Sequence, residues 1–268
     1  LVTGAGSGIG RATALELARR GATVLCADLN SETAEQTASA CASAGGRAAA
    51  YELDVADRDA VRTIAEKITA EHGPLDVLVN NAGVGVAGRF LDTTPQDWDW
   101  LLGVNLHGVL NCCYAFGPAM VERRRGHVVN ISSGLAYFHR PTEAAYVTSK
   151  AAVLAFSRTL RADWRRHGVG VSAICPGVVN TPIVRNSRMR GDAAQPEYAA
   201  RAAHLFATRG HPPQRVAEAI AGAVERNRSV VPVGREAWLG WIAHRLLPTA
   251  TSDRAAAVSE LLTAAKRR

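Results

Sequence analysis

The sequence predicts an α/β fold: a single doubly wound parallel sheet with helices on both faces and a helical C-terminal extension. Three observations predict it. Strand-like and helix-like segments alternate over the first three-quarters of the chain. A glycine-rich turn sits where the first strand gives way to the first helix. No internal repeat or low-complexity linker breaks the 268 residues, a length that suits one open α/β domain, so residues 1–268 are read as a single domain.

The elements follow in order. Leu1 and Val2 end a strand, and residues 8–20 form a helix. Residues 22–28 are apolar and β-rich, and Ser31 can cap a helix that runs to residue 44. Strand over 47–54, helix over 57–72 and a short buried strand over 76–80 come next. Residues 95–123 are mostly helical, 127–132 strand, 146–167 helix and 169–174 strand. Strands joined this way lie parallel and are covered on both faces. After Thr181 the pattern changes. Residues 183–210 are polar, rich in Arg and broken by Gly191, Pro196 and Gly210, as expected of a lid. Pro212 and Pro213 then open a helix to residue 227, and residues 229–233 form a last strand. Residues 235–247 and 253–268 read as helical, so that 235–268 form the extension.

Composition is that of a soluble globule, 47% hydrophobic and 21% charged. No apolar run approaches the ~18 residues that span a bilayer, and no secretory signal is visible. Five cysteines (Cys26, Cys41, Cys112, Cys113 and Cys175) form no metal-ligand spacing, and most sit in apolar stretches. They are expected to be small buried hydrophobes in a reducing cytoplasm, with no metal site. The formal net charge is +7, and between Arg209 and Arg268 ten Lys/Arg face five Asp/Glu. Without interleaved aromatic residues this excess reads as a solvated, Arg-rich surface and not as a nucleic-acid platform.

The turn reads Thr3-Gly4-Ala5-Gly6-Ser7-Gly8-Ile9-Gly10, a T-G-x-x-x-G-x-G pattern. Glycines there let the backbone approach a pyrophosphate whose charge rests on the helix N-terminus. Asp28 ends the second strand, where an acid can accept hydrogen bonds from an adenosine ribose and would repel a 2′-phosphate. Ser7 and Leu29, where a basic residue would help an NADP phosphate, are neutral, so NAD is expected over NADP; Arg11 is the one cation placed to argue otherwise.

Further along, Tyr146 and Lys150 stand four residues apart, with Ser133 thirteen residues before the tyrosine. On a helix the pair shares a face. An ammonium beside a phenol favours the phenolate, and a hydroxyl such as Ser133 can hold a substrate oxygen next to it.

Together these residues resemble one family, the short-chain dehydrogenases/reductases, NAD(P)-binding enzymes of Rossmann fold. The ordered set is Thr3–Gly10, Asp54-Val55, Asn80-Asn81-Ala82-Gly83, Asn105, Ser133, Tyr146, Lys150 and Pro176-Gly177-Val178-Val179-Asn180-Thr181. The resemblance implies that Gly4, Ser7, Gly8, Ile9, Gly10, Asp28 and Leu29 hold the pyrophosphate and adenosine. It places Asp54 and Val55 at the adenine and Asn81, Ala82 and Gly83 along the cofactor floor, with Asn80 supporting the sheet. Pro176, Gly177, Val179 and Thr181 would hold the nicotinamide end. Asn105 would interrupt a helix and place a water in a proton relay with Lys150, while His107 and Ser132 stay outside the chemistry. Tyr146 would act as general acid/base, Lys150 would lower its pKa and hold the cofactor ribose, and Ser133 would bind the substrate oxygen.

The expected function is hydride transfer between NAD(H) and a secondary alcohol or ketone, apolar or lipid-like. An NADPH-dependent reductase of ketoacyl or lipid ketones is the alternative, and a non-catalytic dinucleotide-sensing module a third reading. Leu135, Tyr137 and Phe138 suggest an apolar substrate wall, and Arg185, Arg188 and Arg190 read as exposed lid charges, with contact to an acidic group as the alternative. The tail departs from the family's usual tetramer-forming end, so a homodimer is expected first and a homotetramer second. The Trp238–Leu247 stretch is expected to dock on the domain, and it is also where a membrane or partner contact would fall. Leu1 already reads as strand, so the chain is expected to be clipped or cut from a longer fusion, behind a hydrolase.

Overall fold

In the computed structural model, which describes residues 1–247, the chain runs β1 (Val2–Thr3), α1 (Gly8–Arg19), β2 (Thr23–Asp28), α2 (Ser31–Ser43), β3 (Arg47–Glu52), α3 (Arg58–His72) and β4 (Val77–Asn80). It continues through β5 (Val86–Ala87), α4 (Pro95–Leu102), a π turn (Gly103–His107), α5 (Gly108–Glu122), β6 (Gly126–Ile131), α6 (Ala144–Trp164) and β7 (Val169–Pro176). Last come β8 (Arg188–Met189), α7 (Pro196–Arg209), α8 (Pro213–Glu225), β9 (Val230–Val233) and α9 (Arg235–Leu246). The helix expected over 253–268 lies outside the described residues.

Seven strands pair in parallel in the order β3-β2-β1-β4-β6-β7-β9. The chain winds outward from β1 to β3, returns to β4 and winds the other way. The reversal between β1 and β4 opens a crevice at the carboxyl ends of the strands, because the connections leave on opposite faces there. Side chains alternate across the sheet. Leu25, Leu78 and Val128 pack with Ile68, Phe116 and Met120 on one face. Val24, Val79 and Val129 pack with Ala14, Val216 and Ile220 on the other. The five cysteines are all free and buried.

Local chemistry sets the helix starts. Asn30 caps α2 by accepting the Thr33 amide, so Ser31 is the first helical residue and not the cap. Asp57 caps α3, and Thr94 with Asp97 forms a capping box at α4, where Pro95 opens the helix.

The region read as an irregular lid is more ordered than expected. It contains α7, and β8 pairs in parallel with β5, a strand the sequence reading passed over because two residues carry no periodicity. A second correction concerns its arginines. Arg190 donates through Nε and Nη2 to Asp97 at 2.8 and 2.7 Å, and Arg188 Nη1 lies 3.3 Å from the same carboxylate. The side chain of Asp97 is 1% exposed, so these two half-exposed arginines clasp the lid to α4 and are not free surface charges. Arg185 is exposed.

Candidate active site

A cleft of about 480 Å³ lies over the carboxyl ends of the strands at the switch point. Its floor is tied together by Thr3, whose hydroxyl accepts the amides of Asn81 and Ala82 at 3.0 Å each. Asn81 Nδ2 donates back to the carbonyls of Thr3 and Gly4. Gly4 has φ 62°, and a Cβ there would lie 2.9 Å from Ala82 Cα. Gly10 lets the first turn of α1 press onto the loop, since a Cβ on it would meet Gly4 O at 2.0 Å.

The amino end of α1 therefore faces the cleft. Ser7, its cap residue, makes no side-chain capping bond, and no acid stands in the first turn. The free amides and the helix dipole are left to attract an anion. Gly4, Ser7, Gly8 and Ile9 line the cleft, while Gly10 acts from behind by close packing. Asp28 accepts the Gly6 amide at 2.8 Å and the Asn30 amide at 3.0 Å. Leu29 beside it is exposed, and Asp54 and Val55 complete this end. Ala82 and Gly83 continue along the floor, and Pro176, Gly177, Val179 and Thr181 form the far wall. The walls approach closely enough that a Cβ on Gly8 would meet Thr181 Cγ2 at 3.1 Å. A cradle of free amides at one end, a carboxylate at the adenosine position and a long floor between them fit a dinucleotide.

Ser133, Tyr146 and Lys150 meet at that far end. Ser133 follows β6, while Tyr146 and Lys150 project from one face of α6. The Ser133 hydroxyl stands beside the Tyr146 phenol and favours its ionised form. Lys150 Nζ donates to Ile131 O at 2.9 Å and stands 5.8 Å from the centroid of the tyrosine ring. Asn105 sits in the π turn, as an interrupted helix requires. Its side chain accepts from Val84 N at 2.8 Å and donates to Val84 O and Ser149 Oγ. A Cβ on Gly83 would come within 3.3 Å of Asn105 Oδ1 and 3.4 Å of Lys150 Nζ, so these groups converge on one point. Asn80 bonds Asn130 inside the sheet and His107 is exposed, and neither lines the cleft; Ser132 does reach its wall, but its hydroxyl is spent on Lys150 O.

Burial dominates the electrostatics. It brings the Lys150 ammonium down to about 8 and pushes the Tyr146 phenol up to about 12, with the Ser133 hydroxyl pulling against it and Glu143 adding to it. The expected depression of the phenol by Lys150 is thus overridden in the protein alone, because the ammonium turns toward Ile131 and not toward the hydroxyl.

The apolar wall is built from other residues than expected. Trp100, Ile183 and Phe206 line the cleft, with Asn186 beside them. Tyr137 is fully buried against Trp241 of α9 at 5.2 Å, and Phe138 fills the space over Gly240. Aromatic surface on that loop is better removed from water beneath α9 than at the mouth. Trp100 carries the Arg188 guanidinium on its ring at 4.0 Å, a pairing of residues far apart in sequence that left no local signal.

Residues 1–191 match the family model described as short chain dehydrogenase. The chain belongs to the short-chain dehydrogenase/reductase family. "Probable oxidoreductase EphD" of Mycobacterium tuberculosis strain H37Rv is 46% identical over 259 residues, covering 95% of this chain and 44% of that protein. The chain thus spans less than half the length of this relative. A "3-oxoacyl-[acyl-carrier-protein] reductase FabG" of Thermotoga maritima is 36% identical over 183 residues, 68% of this chain and 74% of that one. Among short-chain dehydrogenase/reductase structures, one from Burkholderia phymatum in complex with NAD superposes with a TM-score of 0.80 at 30% identity, covering 86% of each chain. Among the described residues no helix is long and apolar enough to cross a membrane.

Proposed function

We propose that this short-chain dehydrogenase/reductase transfers hydride between NAD(H) and an apolar secondary alcohol or ketone, with Tyr146 as general acid/base. The observation that carries the reading is the half-buried Tyr146 phenol, with the Ser133 hydroxyl beside it and Lys150 at its flank, at one end of a cleft that begins at Asp28. The nicotinamide, when bound, accepts or donates the hydride, and the protein supplies orientation and proton transfer. In oxidation the Tyr146 phenolate takes the hydroxyl proton of the alcohol; in reduction the phenol gives a proton to the carbonyl oxygen. Ser133 donates to that oxygen where charge develops. Lys150 holds positive charge beside the phenolate and can donate to the ribose. Asn105 fixes the backbone around Val84 and Ser149, and would place a water within reach of Lys150.

Asp28 supports NAD over NADP. Lys150 is the sole Lys or Arg among the residues lining the cleft, so a 2′-phosphate would meet a carboxylate and no cation. Trp100, Ile183 and Phe206 support an apolar substrate. A panel of secondary alcohols and ketones, assayed by nicotinamide absorbance with NAD(H) and NADP(H), tests the reading. Turnover with NAD(H) and a lower kcat/KM with NADP(H) is expected. Faster turnover of ketoacyl substrates with NADPH would favour the reductase alternative that the likeness to FabG raises. Absence of turnover with every pair would leave a binding module instead.

A further inference from the structure

The loop from Pro176 to Thr181 lines the far end of the cleft, and its backbone is held from outside. Gly177 N donates to Val233 O at 2.9 Å, His211 N to Val178 O at 2.8 Å and Asn180 N to His211 O at 2.9 Å. Val178 N is taken by a side chain, Oε1 of Glu236 in the first turn of α9, 3.2 Å away. Glu236 reaches it because residue 177 has no side chain; a Cβ on Gly177 would stand 2.0 Å from that oxygen. His211 Nε2 lies 3.1 Å from the same carboxylate, and Arg215 Nη1 stands 3.4 Å from His211 Nδ1. Burial pushes the Glu236 carboxyl up, but bonds from its own backbone amide, from His211 and from Val178 outweigh it and hold it below the usual range. A charged acceptor makes the stronger bond to the amide, and the helix dipole favours a carboxylate at this position.

None of these side chains lines the cleft. Glu236 also lies beyond residue 191, where the family match ends. We infer that Glu236, with His211, is a positioning residue that fixes the Pro176–Thr181 loop against the nicotinamide half of the dinucleotide. This rests on the dinucleotide reading above. The clamp removes loop freedom before binding, so its contribution appears in affinity for the nicotinamide half and not for the adenosine half.

The test is titration of the full chain with NADH and, separately, with ADP-ribose, which lacks the nicotinamide. Glu236→Ala is expected to weaken NADH binding about fivefold, the worth of one hydrogen bond of this kind, and to leave ADP-ribose binding unchanged. Glu236→Gln is expected to recover much of that loss without reaching the wild type, since its amide oxygen still accepts from Val178 N but carries no charge. His211→Asn should weaken NADH binding in the same direction and by less. Equal NADH affinity in Glu236→Ala and wild type overturns the inference, and so does an equal loss for both ligands. If Glu236→Ala does not fold, the NADH-to-ADP-ribose ratio of His211→Asn decides: a shifted ratio supports the clamp and an unchanged one overturns it. Wild-type protein that binds neither ligand overturns the dinucleotide reading itself, and the clamp with it.

Discussion

Lys150 and Tyr146 carry opposite costs of the same burial: the ammonium is held down to about 8 and the phenol up to about 12. Oxidation needs the phenolate, so in the proposed reaction its rate should rise about tenfold per pH unit between about pH 6 and 8, below both values. Reduction needs the protonated phenol and should stay flat over that range. Above about 8 Lys150 loses its charge, and the oxidative slope should fall. Initial rates in both directions against pH check this. Asp28→Ala should narrow the preference for NAD over NADP by about tenfold, close to the loss of one like-charge repulsion, read from kcat/KM with each. Residues of this kind were legible in the sequence because the chemistry demands a type and a spacing: Ser133, Tyr146, Lys150 and Asn105 all converge. Trp100 and Phe206 were not, because an apolar residue that lines a cleft looks like one that fills a core.

Among the elements, β8 and α4 are joined by a clasp that local periodicity does not encode. The Asp97 carboxyl is held down to about 2, chiefly by its bonds with Arg190, against an ordinary 3.8. A depressed carboxyl contributes stability that is full above the ordinary value and is lost as pH falls toward the folded one. Asp97→Ala leaves Arg188 and Arg190 without their acceptor, and the half-exposed guanidinium groups recover part of their hydration. A fall in Tm of ~5 °C is expected, together with faster proteolytic cleavage within residues 183–210. Unchanged cleavage would mean that β5–β8 pairing alone holds the lid. The same long-range character explains what the sequence reading missed here. Arg188 and Arg190 read as surface charges because Asp97 is distant in sequence, and α7 was hidden by Gly191, Pro196 and Gly210, which bracket or open it instead of breaking it. Where the information is local, as in the strand–turn–helix at Thr3–Gly10 or the Pro213 start of α8, sequence and structure agree.

At the scale of the whole molecule, the order β3-β2-β1-β4-β6-β7-β9 brings the expected site residues other than Gly10 and Asn105 to the cleft at the carboxyl ends of the strands. That placement follows from alternation alone: parallel strands end together, and the reversal after β3 opens the crevice where they do. The C-terminal part was less legible. β9 and α9 were anticipated, but the docking of Tyr137 and Phe138 beneath α9 and the reach of Glu236 to Val178 depend on contacts between distant segments. The proposal that a cleft built this way moves a proton through Tyr146 while hydride passes to or from the cofactor rests on that one side chain. Its most direct test is the turnover of Tyr146→Phe beside its NADH affinity, using the best pair from the alcohol and ketone panel. The kcat of Tyr146→Phe is expected to fall by about 10²–10⁴-fold while NADH still binds; turnover at the wild-type rate would show that Tyr146 does not carry the proton.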